Sequence, residues 1–136
     1  MTDRLEQFIA EGRATRQRAQ GEKSDALMAA LDSIDPRLSA WSDSFVFGQV
    51  WADSNLEFEE QVLVAISALA TGGHVAQLRS YLHGALQAGI DPDKLQDTLV
   101  MIVVYAGFPT ALMALDEWRK VRDSHAGRSV KSGEGN

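Results

Sequence analysis

Two Asp-Pro steps, Asp35-Pro36 and Asp91-Pro92, and glycines at positions 21, 72, 73, 89 and 107 divide this chain into short segments. Aspartate before proline is a helix-start signature, because the carboxylate caps the orphan amides while proline fits the first turn. Between these marks the apolar residues recur three and four apart. Leu5, Phe8 and Ile9 do so, as do Leu27, Met28 and Leu31, and then Leu38, Trp41, Phe45, Val46 and Val50. Val62, Ile66 and Leu69 follow, then Leu95, Leu99 and Ile102, and last Leu112, Leu115 and Trp118. The run from Val100 to Val104 has strand-forming composition, but its cap, its length and the lack of a partner strand favour a helix. The pattern predicts an all-α domain of about six helices, with a central helical hairpin turned at Gly72-Gly73 and a later helix stop at Gly89.

A chain of 136 residues holds one hydrophobic core but not two. The expected division is a single domain over residues 1–125 and a flexible polar tail over 126–136, where glycine and serine replace apolar residues. A net charge of −6 argues against nucleic acid and anionic membranes as partners. Arg13, Arg16 and Arg18 read as a solvated helix face, since Glu11 and Glu22 lie close by. No cysteine is present, which excludes disulfides, thiolate metal sites and thiol peroxidase chemistry. The polar first ten residues lack a signal-peptide core, and no apolar run reaches the ~20 residues that span a bilayer, so the expected location is cytoplasmic. Several adjacent helices are apolar on more than one face. Surplus apolar surface in so small a chain predicts a homo-oligomer.

Candidate chemistry gathers after the Gly-Gly turn. At ~100° per residue, His74, Gln77 and Tyr81 fall within ~60° of one another and share a helix face. An imidazole, an amide and a phenol on one face suit acid/base work and oxyanion stabilisation. The plainer alternative is that His74 caps a helix and Tyr81 packs its ring. Gly48 interrupts an apolar helix at a cost of ~1 kcal/mol against alanine, which signals close packing and draws attention to Gln49 beside it. His83 points roughly opposite to His74, at the surface or a subunit contact, and His125 receives no role. Three histidines without an i, i+4 pair predict no metal. Trp41 and Trp118 read as core.

Three stretches together resemble the carboxymuconolactone decarboxylase family. They are Phe47-Gly48-Gln49-Val50-Trp51, the segment Leu78 to Gly89 reading LRSYLHGALQAG, and Tyr105-Ala106-Gly107-Phe108-Pro109. The similarity runs in order from about Arg4 to Val121 and is nearest to the gamma-carboxymuconolactone decarboxylase branch, which is related to the AhpD-like fold. The resemblance implies an all-α oligomer, a trimer or hexamer, that works without a cofactor.

What the resemblance implies for chemistry divides by branch. The peroxidase-like branch carries C-x-x-C-x-x-x-H, which falls here at His74, Gln77 and Tyr81, while its relay carboxylate falls at Val62. The decarboxylase branch loses CO2 from a lactone acid to leave an enolate-like carbanion, which a positioned acid protonates. Its usual glutamate and histidine fall at Gln49 and Tyr81. Glutamine does not titrate, and a phenol with an ordinary pKa of ~10 donates hydrogen bonds near neutrality. The expected reading is a cofactor-independent carboxy-lyase acting on a small lactone or aromatic-derived carboxylic acid. His74, Tyr81 and Gln49 are its catalytic candidates, and Trp51, Gln77 and Tyr105 line the substrate pocket. The alternatives are a divergent relative acting on another substrate, or a non-catalytic oligomer that binds a small molecule.

Overall fold

A computed structural model describes residues 2–134, and it is helical almost throughout, with no strand among the described residues. The order is α1 (Thr2–Gln20), a single 3-10 turn (Gly21–Lys23), α2 (Ser24–Asp32), α3 (Pro36–Trp41) and a π-helical segment (Ser42–Trp51). Then come α4 (Phe58–Thr71), α5 (Val75–Gln87), α6 (Pro92–Ala106) and α7 (Phe108–Glu134). Both predicted Asp-Pro starts are present: the Asp35 side chain accepts from the Arg37 amide and the Asp91 side chain from the Asp93 amide. Among the described residues no helix is long and apolar enough to cross a membrane.

The hairpin of α4 and α5 lies at the centre. Gly73 adopts φ +74° and the His74 amide bonds back to the Leu69 carbonyl, closing α4 with a six-to-one turn that only glycine enters without strain. Gly89 repeats the device after α5, with φ +87° and the Ile90 amide on the Ala85 carbonyl. Ile66 and Ala70 of α4, Leu78 and Leu82 of α5, Leu95 and Leu99 of α6 and Ala114 and Trp118 of α7 bury completely or nearly so in one cluster. Trp118 therefore takes the expected core place, with its indole N–H donating to Gln96. Trp41 does not: it is 55% exposed, with the Arg37 guanidinium over its ring. Its stripe packs on α2 through α3 and on α1 through the π segment, and neither contact covers the tryptophan.

The N-terminal helix packs on the π segment of its own chain, backbone against backbone. A Cβ added at Gly12 would stand 1.8 Å from the Asp43 carbonyl oxygen, and one at Gly48 would stand 2.6 Å from that of Phe8. These two glycines give up ~1 kcal/mol of helix propensity each so that the rods can touch. The approach also buries Arg16, which corrects the expectation of a solvated arginine face. Arg13 stays exposed, but Arg16 is 2% exposed and its Nε donates to Asp43, itself buried, at 2.7 Å. Arg18 lies with its guanidinium 3.8 Å from the centre of the Phe58 ring. Charge pattern alone places arginines outside because it does not see a buried aspartate 27 residues away.

The stretch expected to be a tail is helical through Glu134, and Arg128 pairs with Glu22 near the start of the chain. Once a helix is established, each added residue gains a hydrogen bond without a new nucleation cost, so Gly127 does not end it. Residues 135 and 136 of the expected tail lie outside the described residues.

Candidate functional site

Tyr81 stands on the second turn of α5, half-buried, in a row of aromatic rings. Its centroid is 6.4 Å from Trp51, which is 5.1 Å from Phe47 and 6.3 Å from Phe58. Such tilted pairs hold their rings in fixed orientation. Trp51 is anchored in turn because its carbonyl accepts from the Gln61 side chain at 2.7 Å, tying the end of the π segment to α4. Burial pushes the Tyr81 phenol above its ordinary pKa of 10.0, and the nearby polar side chain of Gln20 opposes that shift. Near neutral pH Tyr81 is thus a neutral phenol able to donate a proton or a hydrogen bond.

The other residues singled out in the sequence stand elsewhere. His74 occupies the N-cap position of α5 without a side-chain capping bond, and its ring lies over Gly72, where an added Cβ would come within 2.7 Å. His74 and Gln77 are both exposed. Seven residues at ~1.5 Å each separate His74 from Tyr81 by ~10 Å along the helix. Gln49 is also exposed, and its amide donates to the Ser44 carbonyl at 3.1 Å. It lines a cleft of about 340 Å³ with Arg4, Phe8, Glu11, Gly48 and Asp53. Tyr105 is 82% exposed and borders an apolar groove of about 460 Å³ between α4 and α6, with Val64, Met101 and Ile102. Of the six predicted site residues, the structure pairs Trp51 with Tyr81 within one chain, places Gln77 exposed one turn before Tyr81 on α5, and leaves His74, Gln49 and Tyr105 exposed.

Gln20 and Phe58 belong to the Tyr81 neighbourhood and were not predicted. Phe58 could have been found from its place beside the capped start of α4. Gln20 had no signal, being a polar residue at the end of a charged helix. His83 also departs from a plain surface role: burial, followed by Lys23 and Arg128, lowers its pKa below 6.5 despite the opposing effect of Glu22.

Residues 36–120, well over half of the chain, match the profile of the carboxymuconolactone decarboxylase family. The chain belongs to that family. No curated protein matches it. As a carboxymuconolactone decarboxylase family member it carries no cysteine, and the position where the resemblance places a relay carboxylate, Val62, is completely buried in the apolar core. The family span holds Gln49, Trp51, His74 and Tyr81, while α1, which supplies Gln20 and Arg16, lies before it.

Proposed function

We propose that the protein is a cofactor-independent lyase of the carboxymuconolactone decarboxylase type, acting by proton transfer on a small lactone or aromatic-derived carboxylic acid. The observation that carries this reading is Tyr81: a half-buried phenol held against Trp51 at the position where the resemblance expects the proton-handling residue. Loss of CO2 would leave an enolate-like carbanion. Tyr81 then delivers a proton to carbon or a hydrogen bond to the enolate oxygen, while Trp51 provides a flat wall for a conjugated ligand.

Gln77 and His74 lie one and two turns before Tyr81 on the same helix face, whereas Gln49 and Tyr105, on other elements, would join this site through another copy of the chain. We accordingly propose a homo-oligomer, a trimer or hexamer in the cytoplasm. Its support is the apolar surface left on α6 and α7, where Val104, Tyr105, Phe108 and Leu112 are each more than half exposed. A non-catalytic oligomer that binds a small acid is the second reading, favoured by the dispersal of the polar candidates and by Gln49, which cannot titrate.

An ultraviolet and CO2-release assay with carboxymuconolactone separates the two. Turnover that falls at least about a hundredfold in Tyr81→Phe, with helicity and assembly retained, supports the lyase. Turnover indifferent to Tyr81→Phe removes Tyr81 from the chemistry. A folded oligomer that binds the acid without consuming it favours the second reading.

A further inference from the structure

The α6 helix carries an acidic surface at one end and an apolar surface at the other. Toward its N-terminal end a shallow cleft is bounded by Asp91, Asp93, Asp97 and Lys94. Lys94 is engaged by Glu59 at 3.1 Å, so this end keeps its negative charge. Toward the C-terminal end Val100, Met101, Val104 and Tyr105 are exposed, and Val64 of α4 and Phe108 of α7 extend the patch. The groove of about 460 Å³ beside them has no ionisable lining besides the Tyr105 phenol. Its Ser67 and Thr98 hydroxyls donate to the Leu63 and Lys94 carbonyls of their own helices at 2.8 and 2.7 Å. With those donors satisfied, the groove suits apolar side chains rather than a charged acid.

Area and charge select the occupant. The six apolar side chains of the patch, each 45–82% exposed, present on the order of 600 Å² between them. A standard interface takes ~800 Å² from each partner, of which ~60% is apolar, so the patch is large enough to hold a second copy of the chain. In a symmetric pair both copies offer the same face. Two α6 helices running the same way would set Asp93 and Asp97 of both copies side by side, with Lys94 already taken. Running opposite ways, the acidic end of each meets the uncharged end of the other, where Tyr105 offers a phenol O–H to the carboxylates. We propose that two copies pair through α6, antiparallel about a two-fold axis at Met101. Met101 of one copy then meets Met101 of the other, and Val104 of each lies beside Asp97 of the other. This pairing rests on the homo-oligomer reading and refines it: three chains about a three-fold axis contain no two-fold, whereas a hexamer of three such pairs does.

The chain has no cysteine, so each introduced cysteine reports on its own position. Under mild oxidation Met101→Cys should run at twice the mass of one chain in non-reducing electrophoresis. Val104→Cys and Asp97→Cys, each alone, should stay at the single-chain mass, because the antiparallel offset separates like positions by ~9 and ~12 Å along the axis. A disulfide needs Cα atoms within ~7 Å. Co-expressed, the two variants should link to each other. Circular dichroism before oxidation checks that each variant is folded, and if Met101→Cys is not, the co-expressed pair decides. Efficient self-linking of both Val104→Cys and Asp97→Cys would mean parallel helices and overturn the proposal. No link in any folded variant, while sedimentation of the unaltered protein still shows an assembly, overturns α6 as the contact and leaves the homo-oligomer reading standing. Sedimentation as single chains removes both.

Discussion

Arg16 and Asp43 show how much one buried charge pair constrains a small domain. Each is nearly inaccessible, and removing one leaves the other in a low-dielectric setting with too few partners. Asp43→Ala should therefore lower stability by about 3 kcal/mol or more in urea unfolding, even though Asp25 and Ser24 also face Arg16. A paired replacement of both by apolar residues of similar size should recover much of the loss. His83 gives a second prediction. Its folded pKa lies below the ordinary 6.5, so below that value the unfolded chain binds the extra proton first. Stability that is present above pH 6.5 should then be lost as pH falls through the folded pKa, and His83→Gln should flatten that part of a stability–pH curve. Tyr81 acts at the other end of the scale. Its raised pKa makes its contribution complete below pH 10 and lost as pH rises through the folded value.

At the level of elements, glycines do two different jobs, and substitution separates them. Gly73 has nothing within 4 Å of an added Cβ but sits at φ +74°. Gly73→Ala should cost about 1–2 kcal/mol from left-handed backbone strain. Gly12 lies inside a helix with no such φ, yet a Cβ would meet a carbonyl at 1.8 Å. Gly12→Ala should cost at least about 2 kcal/mol because the helix must move off the π segment, despite alanine's better propensity. Helix starts and stops were legible because caps, prolines and glycines act through residues one to five positions away. Asp35, Asp91, Gly73 and Gly89 could therefore be placed from local chemistry. The burial of Arg16, the exposure of Trp41 and the nearness of Gln20 to Tyr81 depend on residues 27 or more positions distant or on shape, and no spacing in the sequence encodes them. The same limit applies to the candidate site. Periodicity correctly placed His74, Gln77 and Tyr81 on one helix, but it does not report which neighbour covers each turn. The structure gives Tyr81 an aromatic wall and leaves the other two exposed.

For the whole molecule, the decisive question is what meets α6. Leu95, Leu99 and Ile102 point into the core, while Val100, Met101, Val104 and Tyr105 point out. A helix apolar on both faces serves two interiors. If the second interior is another copy, sedimentation should give a multiple of 14.8 kDa, and Val104→Asp should shift the population toward the single chain without loss of helicity. A species of one chain in the unaltered protein at micromolar concentration would remove the proposed assembly and with it any role for Gln49 or Tyr105 at another copy's Tyr81.

The contact between Gly12 and the π segment has a consequence for anyone cutting this protein down. The family span starts at Pro36, yet the face of Gly48 and the charge of Asp43 are both covered by a helix that precedes it. A fragment trimmed to residues 36–120 would carry every predicted site residue and still expose a naked helix backbone and an orphaned carboxylate. We expect the start of the family match to fall inside the folding unit, with the leading helix belonging to the minimal domain.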